Sequence, residues 1–360
     1  MVDEFIYLIS SVLSTDYYPI LILLTFIALA FSRNRRSLII ALLVIVLALP
    51  ALKTFYAESR PCTALSSPFC TEFEFQSEKY GFPSGHAATA IILPAATLGT
   101  YALFFFLPAA FLIAFSRVYL DMHTLNQIAA GVALGLLVFF IAKLIHEYLQ
   151  MGRAASLRKQ ASKKPASSET GRQLIHILGG FLAIGMLLFL GNTPADRLYN
   201  TEMIILCGMV SGIWIMNMKM VGMNIGAFEH FLRKFERVGE EFDGRGALLY
   251  VIGVLLLISF TFPRDPNFAL AALAIFATGD CFSTIIGRKY GANKLAWNTR
   301  KSWQGMSGFF ITSSIVSYPF IGIAGIFYSA ALAIVETLDL HIDDNLLIPM
   351  CTVVLFQIFG

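Results

Sequence analysis

Three short polar segments interrupt an otherwise apolar sequence in the first third of the chain: KTFYAESRP at residues 53–61, PSGH at 83–86 and SRVYLDMH at 116–123. Each segment adjoins an apolar run of the length that a transmembrane helix requires. Charged groups at the edge of a bilayer are costly, so a set of this kind indicates a functional site. The alternation of apolar runs with short polar segments predicts an all-α polytopic membrane protein.

The charged residues of these segments have the chemistry of a phosphate site. Lys53, Arg60 and Arg117 match the charge of a phosphate group, and arginine binds phosphate oxygens in bidentate fashion. His86 and His123 supply the nucleophile and the acid that phosphoryl transfer through a covalent intermediate needs. The residues alone therefore predict a phosphatase that works at a membrane surface.

In this order the segments resemble the type 2 phosphatidic acid phosphatase superfamily, whose signature is Lys-x6-Arg-Pro, then Pro-Ser-Gly-His, then Ser-Arg-x5-His-x3-Asp. The resemblance covers roughly residues 15–148. It implies that His123 attacks phosphorus, that His86 protonates the leaving group and that the three cations hold the phosphoryl oxygens. Ser84 and Gly85 would add hydroxyl and backbone N–H donors. The resemblance implies no cofactor for this reaction.

Gln127 departs from the signature, which has Asp at that position. On a helix it shares a face with His123, four residues earlier, and it can orient the imidazole without adding a charge. One interpretation is a weakened enzyme. The other is that HTLNQ, residues 123–127, resembles the dolichyl-diphosphatase branch, where Gln follows the histidine at this spacing. The second is favoured because the other motif positions are intact, and it implies a polyprenyl (dolichyl) diphosphate substrate.

Composition supports a chain that crosses the membrane many times. Hydrophobic residues make up 57% of the sequence and charged residues 14%, with a mean hydropathy of +0.71. We expect about twelve transmembrane helices in two helical bundles. The predicted spans lie near 16–31, 37–54, 84–101, 102–120, 125–147, 174–190, 203–220, 247–262, 268–286, 306–327, 328–339 and 346–359. A net charge of +3 gives no indication of a nucleic-acid partner.

A polar, basic stretch divides the chain. The segment LQMGRAASLRKQASKKPASSETGR, residues 149–172, predicts a linker between transmembrane domains at 1–148 and 173–360. The positive-inside rule places this linker, and the arginines between the first two spans, in the cytoplasm. Counting spans from there puts the phosphatase motifs on the outer face. We expect a multi-pass protein of an archaeal or bacterial plasma membrane.

The second domain carries a different constellation. Arg172 and His176 stand one turn apart at the start of the sixth span, and Asp280 is embedded in an apolar run, where an unpaired carboxylate is costly. GRKYGANKLAWNTRKSWQG, residues 287–305, is a basic loop whose glycines let the backbone approach phosphates. HIDDNLLIP, residues 341–349, offers oxygen ligands of the kind that Mg²⁺ takes. Because the basic loop at 287–305 is predicted to be cytoplasmic, a nucleotide is its expected ligand.

This pattern resembles the membrane-embedded, CTP-dependent lipid kinases (dolichol kinase, yeast-type diacylglycerol kinase and phytol kinase), which are related to the phosphatidate cytidylyltransferases. The shared elements are Arg-x3-His, Gly-Asp-x7-8-Gly-x3-Gly, Lys-Ser-x2-Gly and a late Asp-Asn. The resemblance implies CTP as phosphoryl donor, Mg²⁺ as cofactor, and Asp280 and His176 as catalytic residues, His176 taking the proton of the lipid hydroxyl. The implied nucleotide-binding residues are Arg172, Gly287, Gly291, Lys294, Lys301, Ser302 and Gly305. The implied metal ligands are Asp280, Asp343, Asp344 and Asn345.

Several residues also have a structural interpretation. Asp280 could be an intramembrane carboxylate paired with a basic neighbour, and the basic residues of 287–301 could be ordinary loop charges. Gly-x3-Gly at 131–135 is expected to be a helix-packing motif. Cys62 and Cys70 could form a disulfide or stay independent thiols.

Together the halves predict a bifunctional lipid enzyme. One domain would convert polyprenyl diphosphate to the monophosphate on the outer face, and the other would phosphorylate polyprenol with CTP on the inner face. Both reactions give polyprenyl monophosphate, a carrier lipid of glycan assembly, which makes the fusion chemically sensible. Glycerolipid or short isoprenoid substrates are an alternative, and so is a transporter that uses the phosphate sites only to bind headgroups.

Overall fold

The computed structural model describes residues 17–64, 79–154, 169–226, 242, 244–338, 340 and 342–360. Cys70, His341 and most of the predicted linker, at 155–168, lie outside this part of the chain. Over the described residues the fold is all-α, as predicted.

Most helices of the described residues follow the predicted apolar runs, but the helix at Pro194–Met220 begins nine residues before the predicted span at 203–220, and the break predicted at 327/328 lies at Gly322. The helices of the described residues are α1 (Tyr17–Phe31), α2 (Arg35–Tyr56), α3 (Pro61–Ala64), α4 (Gly85–Ala96), α5 (Leu103–Tyr119), α6 (Leu125–Ala154), α7 (Glu169–Phe189), α8 (Pro194–Met220), α9 (Arg245–Thr261), α10 (Pro266–Tyr290), α11 (Trp303–Ile321), α12 (Ile323–Thr337) and α13 (Asp344–Phe359). Four of them, α2, α6, α8 and α10, are long and apolar enough to cross a membrane. Shorter apolar helices accompany them, and the count of about twelve spans stays a prediction.

The packing divides the chain into two compact units. The first comprises Met1–Ala161 and Val210–Ile225, and the second comprises Ser162–Met209 and Gly226–Gly360. Within the first unit, the buried amide of Asn217 accepts a hydrogen bond from the backbone N of Gly99 at 2.8 Å and donates one to the carbonyl of Thr100 at 3.1 Å. The sequence predicts a single domain boundary, at the linker. The packing also assigns the C-terminal part of α8, from Val210 on, to the first unit.

Close helix packing in the first unit rests on two glycines of α6. A Cβ atom at Gly131 would lie 2.3 Å from the carbonyl oxygen of Ser84, and one at Gly135 would lie 2.3 Å from that of Ala88. Only glycine lets the α6 and α4 backbones approach this closely. The helix-packing interpretation of 131–135 is therefore confirmed, and the contact holds the beginning of α4 against α6.

In the second unit, α10 is the most buried long helix and packs against α7 and α11. It begins sharply because Asp265 caps it, its Oδ1 accepting a hydrogen bond from the backbone N of Phe268 at 3.0 Å, and because Pro266 occupies the first turn. A Cβ atom at Gly180 of α7 would lie 2.4 Å from that of Ala277. On α10, one residue before Asp280, a Cβ atom at Gly279 would lie 2.6 Å from the ring of Phe309 in α11.

Candidate functional sites

The first unit brings its two motif histidines together. The backbone N of His123 donates to the carbonyl of Arg117 at 3.1 Å, which fixes the turn between α5 and α6. The backbone N of Ser84 donates to the carbonyl of Gln127 at 2.9 Å, which ties the start of α4 to the start of α6. As a result, the ring centroids of His86 and His123 lie 6.4 Å apart.

Three buried cations surround this pair. The side chains of Lys53, Arg60 and Arg117 are all buried. Burial lowers the pKa of His123 well below its ordinary value, and the charges of the three cations lower it further, while the hydrogen bond with Gln127 raises it. His123 is therefore neutral at physiological pH. Its buried Nε2 has no hydrogen-bond partner among the described residues, so the lone pair of this nitrogen is available to attack a phosphate.

Gln127 lies in the first turn of α6 and forms a capping box with Thr124. Its backbone N donates to Oγ1 of Thr124 at 3.2 Å, and its Oε1 accepts from the backbone N of Thr124 at 3.3 Å. This reciprocal pair satisfies two N–H groups at the helix start. The same Oε1 lies 3.0 Å from Nδ1 of His123. Oε1 of Gln127 therefore contacts both the backbone N of Thr124 and Nδ1 of His123.

Two acceptors fix the orientation of the Gln127 amide. Its Nε2 donates to Oε1 of Glu58 at 2.7 Å and to the carbonyl of Ser59 at 3.1 Å. A Cβ atom at Gly81 would lie 2.3 Å from Oε1 of Gln127, so glycine leaves room for this amide. Since Nε2 faces two acceptors, Oε1 faces His123 and Nδ1 carries the proton. Glu58 was not predicted, although it lies inside the KTFYAESRP segment.

Ser84 and Gly85 form the beginning of α4. The Ser84 hydroxyl accepts a hydrogen bond from the backbone N of Ala87 at 3.4 Å and so caps the helix. Its own hydrogen stays available to donate. A helix N-terminus also attracts anions, so the start of α4 can stabilise negative charge beside the histidines.

Cys62 joins α3 to the turn that precedes His123. Its backbone N donates to the carbonyl of Asp121 at 2.8 Å. Cys62 is disulfide-bonded, whereas Cys207, Cys281 and Cys351 form no disulfide within the part of the chain that the structure describes. The fifth cysteine of the sequence, Cys70, lies outside the described residues.

The second unit contains a polar cavity of about 750 Å³. It gathers residues from α10, from the loop before α11, from the end of α12 and from the start of α13. Of the predicted kinase residues, those that line it are Asp280, Gly287, Gly291, Lys294, Lys301, Ser302, Gly305, Asp343, Asp344 and Asn345. Residues separated by up to 65 positions in sequence thus share one cavity.

Three carboxylates face one another in this cavity. One oxygen each from Asp280, Glu336 and Asp344 lies within 4.8 Å of the others. Glu336 is 1% exposed; its Oε1 accepts from the hydroxyl of Ser283 at 2.9 Å, and its Oε2 has no hydrogen-bond partner among the described residues. Hard oxygen ligands in this arrangement fit a divalent cation such as Mg²⁺. The sequence did not point to Glu336.

Lys301 balances part of this negative charge. Its Nζ forms ion pairs with Glu336 and, at 3.3 Å, with Asp344. Burial acts to lower the pKa of Lys301, but the carboxylates of Asp344 and Glu336 outweigh it and raise the pKa above the ordinary value. Lys301 therefore keeps its charge. Asp343 lies at the rim as the cap of α13, its Oδ1 accepting from the backbone N of Asn345 at 3.0 Å.

Small residues shape the wall where α10 meets α11. The hydroxyl of Ser302 caps α11 by accepting from the backbone N of Gly305 at 3.2 Å. A Cβ atom at Gly291 would lie 2.7 Å from this hydroxyl, and one at Gly305 would lie 3.4 Å from Cα of Gly287. The glycines therefore serve helix packing and also line the cavity. Lys294 is exposed at the opening.

His176 is placed differently from the other predicted kinase residues. It is buried and stacks on Tyr250, with ring centroids 4.5 Å apart, while the Tyr250 hydroxyl donates to the His176 carbonyl at 2.6 Å. Phe276 also stacks on Tyr250, with ring centroids 4.8 Å apart. His176 is not among the described residues that line the cavity. The side chain of Arg172 lies outside what the structure describes.

A family model matches much of the first unit. The family model of the PAP2 superfamily matches residues 34–151. This range contains both motif histidines, the three cations and Gln127. No solved structure matches the chain.

Several curated relatives of the chain are named as phytol kinases. A probable chloroplastic phytol kinase of Triticum aestivum is 28% identical over 209 residues, which is 52% of this chain and 67% of that protein. Phytol kinase 1 of Arabidopsis thaliana, also chloroplastic, is 28% identical over 207 residues, 51% of this chain and 64% of that protein. An uncharacterized protein of Methanocaldococcus jannaschii is 38% identical over 112 residues, 31% of this chain and 56% of that protein.

The chain spans about two thirds of the length of the plant relatives and less of the archaeal one. The chain is thus similar to the PAP2 superfamily over residues 34–151 and to plant phytol kinases over about half of its length.

Proposed function

We propose that the chain is a bifunctional polyprenyl-lipid enzyme. The first unit would dephosphorylate polyprenyl (dolichyl) diphosphate to the monophosphate, and the second would phosphorylate polyprenol (dolichol) with CTP. The observation that carries the proposal is the presence, in one chain, of a neutral histidine ringed by buried cations and a separate cavity lined by carboxylates and lysines. The first suits direct binding of a phosphate, and the second suits a nucleotide with a divalent cation.

In the diphosphatase, the three cations and the start of α4 would bind the terminal phosphate. The lone pair on Nε2 of His123 would form the N–P bond while the bridging P–O bond breaks. The negative charge of the bound diphosphate would favour the protonated form of His86, and this imidazolium would give its proton to the leaving oxygen of polyprenyl monophosphate. Water would then hydrolyse the phosphohistidine, with His86 taking a proton from the water. Every step uses groups of the chain and water, with no metal.

In the kinase, Asp280, Glu336 and Asp344 would hold Mg²⁺. This ion, when bound, would neutralise the donor phosphates. Lys301 and Lys294 would contact the nucleotide phosphates, and the backbone along the glycines would approach them. The role of His176 as base for the lipid hydroxyl stays a prediction, since His176 is stacked on Tyr250 rather than lining the cavity.

Polyprenyl lipids are the favoured substrates because both reactions then give the same product, polyprenyl monophosphate. A glycerolipid phosphatase joined to a glycerolipid kinase would form a futile cycle. The expected location is the plasma membrane of an archaeon or bacterium, with the diphosphatase site outside and the kinase site in the cytoplasm.

The experiment that tests the kinase half uses purified protein, polyprenol and CTP labelled at the γ-phosphate or at the α-phosphate. Polyprenyl monophosphate that carries only the γ label is expected, and Asp280→Asn should reduce its formation at least about 100-fold while hydrolysis of polyprenyl diphosphate continues. Retention of the α label in the lipid would mean a cytidylyltransferase. Normal phosphorylation by the Asp280→Asn variant would remove Asp280 from the site.

A further inference from the structure

The position where the phosphatase signature carries a charged Asp holds the neutral Gln127 in this chain. In the structure the missing charge is present one hydrogen bond further on. We propose that Glu58 supplies the negative charge of the histidine site through Gln127, as a positioning residue in a relay from Glu58 to Gln127 to His123. This inference rests on the proposed diphosphatase function and names the group that tunes its nucleophile.

The geometry makes the relay continuous. Glu58 Oε1 accepts from Gln127 Nε2 at 2.7 Å, and Gln127 Oε1 lies 3.0 Å from Nδ1 of His123. Two further hydrogen bonds fix this orientation of the Gln127 amide: its Nε2 donates to the Ser59 carbonyl, and its Oε1 accepts from the backbone N of Thr124. An amide that donates to a carboxylate at one end becomes a better acceptor at the other, because hydrogen bonds in a chain polarise one another.

The charge has a defined task in the reaction. When Nε2 of His123 forms the N–P bond, the proton stays on Nδ1 and the imidazole ring gains a positive charge. Lys53, Arg60 and Arg117 all disfavour that charge, as their effect on the pKa of His123 indicates. A carboxylate linked to Nδ1 opposes them. Charge-assisted hydrogen bonds are roughly twice as strong as neutral ones, so the relay stabilises the phosphorylated ring more than the neutral ring.

The relay also explains why glutamine can replace a carboxylate here. The side chain of Gln127 is fully buried, whereas that of Glu58 is half-buried. Placing the charge on Glu58 avoids much of the desolvation cost of a fully buried carboxylate. The amide carries the effect of that charge inward while it also serves the capping box.

The first test is Glu58→Gln, which keeps the size of the side chain and removes its charge. A kcat for polyprenyl diphosphate hydrolysis reduced about 10- to 100-fold is expected, with KM changed less than about threefold. The matched control is Asp121→Asn, which removes an exposed carboxylate two residues from His123 and should leave kcat unchanged. Asparagine also tolerates the positive φ of 54° at Asp121. Wild-type kcat in Glu58→Gln overturns the proposal.

The second test exchanges the two side chains. The double variant Glu58→Gln with Gln127→Glu retains one carboxylate and one amide and moves the charge next to His123. It should recover at least about tenfold of the kcat lost in the single Glu58→Gln variant. A double variant that folds, by its thermal unfolding midpoint, yet is no faster than the single variant would show that Glu58 only holds Gln127 in place, and the proposal fails.

The design separates this proposal from the diphosphatase itself. Wild-type protein that releases no phosphate from polyprenyl diphosphate contradicts the proposed function. Wild-type release that is lost in His123→Ala, together with an unaffected Glu58→Gln, contradicts the relay alone.

Discussion

The two candidate sites handle phosphate with opposite arrangements of charge. In the first unit, three buried cations surround a pair of histidines, and the carboxylate of Glu58 accepts a hydrogen bond from the amide of Gln127. In the second unit, three carboxylates lie close together, two of them form ion pairs with Lys301, and further basic residues line the cavity wall. A phosphate fits the first site directly. It fits the second only when a divalent cation offsets the carboxylates.

The contrast teaches how one chain can keep two phosphate reactions apart. A nucleotide carries more negative charge than a lipid diphosphate, and its transfer needs a metal and fixed cations together. Hydrolysis through phosphohistidine needs a neutral nucleophile, and burial beside cations keeps His123 neutral. Metal dependence should therefore distinguish the two activities, and variants of one site should spare the other.

The largest effect is expected from His123→Ala. Without the nucleophile no N–P bond forms, so phosphate release from polyprenyl diphosphate should fall at least about 10⁴-fold. Polyprenol phosphorylation by the same preparation should be unchanged, which serves as the folding control. The measurement is phosphate release under saturating lipid in detergent. Substantial release by the alanine variant would remove His123 as nucleophile and break the comparison.

Gln127→Ala should have the next largest effect. The variant loses the contact with Nδ1 of His123 and the link to Glu58, so kcat should fall about 10²- to 10⁴-fold. KM should change much less, because in the described part of the chain the side chain of Gln127 hydrogen-bonds His123, Thr124, Glu58 and Ser59 rather than the three cations of the proposed phosphate site. Loss of the capping box should also cost about 1 kcal/mol of stability, which thermal unfolding can measure separately. A wild-type kcat would leave Gln127 with a capping role only.

Glu336→Gln tests the second site with a binding measurement. The substitution keeps the size and the hydrogen bond with Ser283 but removes a charge from the carboxylate group. Mn²⁺ affinity, followed by the electron paramagnetic resonance of the free ion, should weaken about 10- to 100-fold. Asp265→Asn, at the cap of α10 outside the cavity lining, is the matched control and should bind Mn²⁺ normally. Equal affinity in both variants would exclude Glu336 as a ligand.

The smallest effect is expected from a change in the packing of α4 against α6, which positions the first site. Gly131→Ala places a Cβ atom against the Ser84 carbonyl, where the structure leaves 2.3 Å. Pushing α4 from α6 should cost about 1–3 kcal/mol and should lower the unfolding midpoint, with a drop in diphosphatase activity. Gly185→Ala in α7, where a Cβ would meet nothing within 4 Å, should be neutral in the same assay.

The sequence predicted most of the described helices because most are apolar runs bounded by polar residues, whereas the short α3 and the polar first turns of α8 were not predicted. The predicted span at 268–286, for example, lies within α10, Pro266–Tyr290. Hydropathy is a local property, so it can be read without the fold. The predicted motif groups also meet in the structure, the histidines in one unit and the lysines with Asp280 and Asp344 in the other.

The residues that the sequence did not reveal act through contacts between distant segments. Glu58 bonds Gln127 across 69 positions, and Glu336 bonds Ser283 across 53. Neither residue has a spacing to its partners that would single it out. His176 shows the converse, since its spacing from Arg172 suggests a site, while in the structure its ring stacks on Tyr250. Side-chain partners of this kind depend on how helices pack, which periodicity alone does not determine.

The most direct test of the two-site proposal is one reaction mixture analysed by mass spectrometry, with and without EDTA. Purified protein would receive unlabelled polyprenyl diphosphate, deuterated polyprenol, CTP and Mg²⁺, so that the two routes to polyprenyl monophosphate differ in mass. With Mg²⁺, both the unlabelled and the deuterated monophosphate should form. With EDTA, the unlabelled product should persist and the deuterated product should disappear. Loss of both products, persistence of both, or a deuterated CDP-lipid would contradict the assignment of a metal-free diphosphatase and a metal-dependent kinase to one chain.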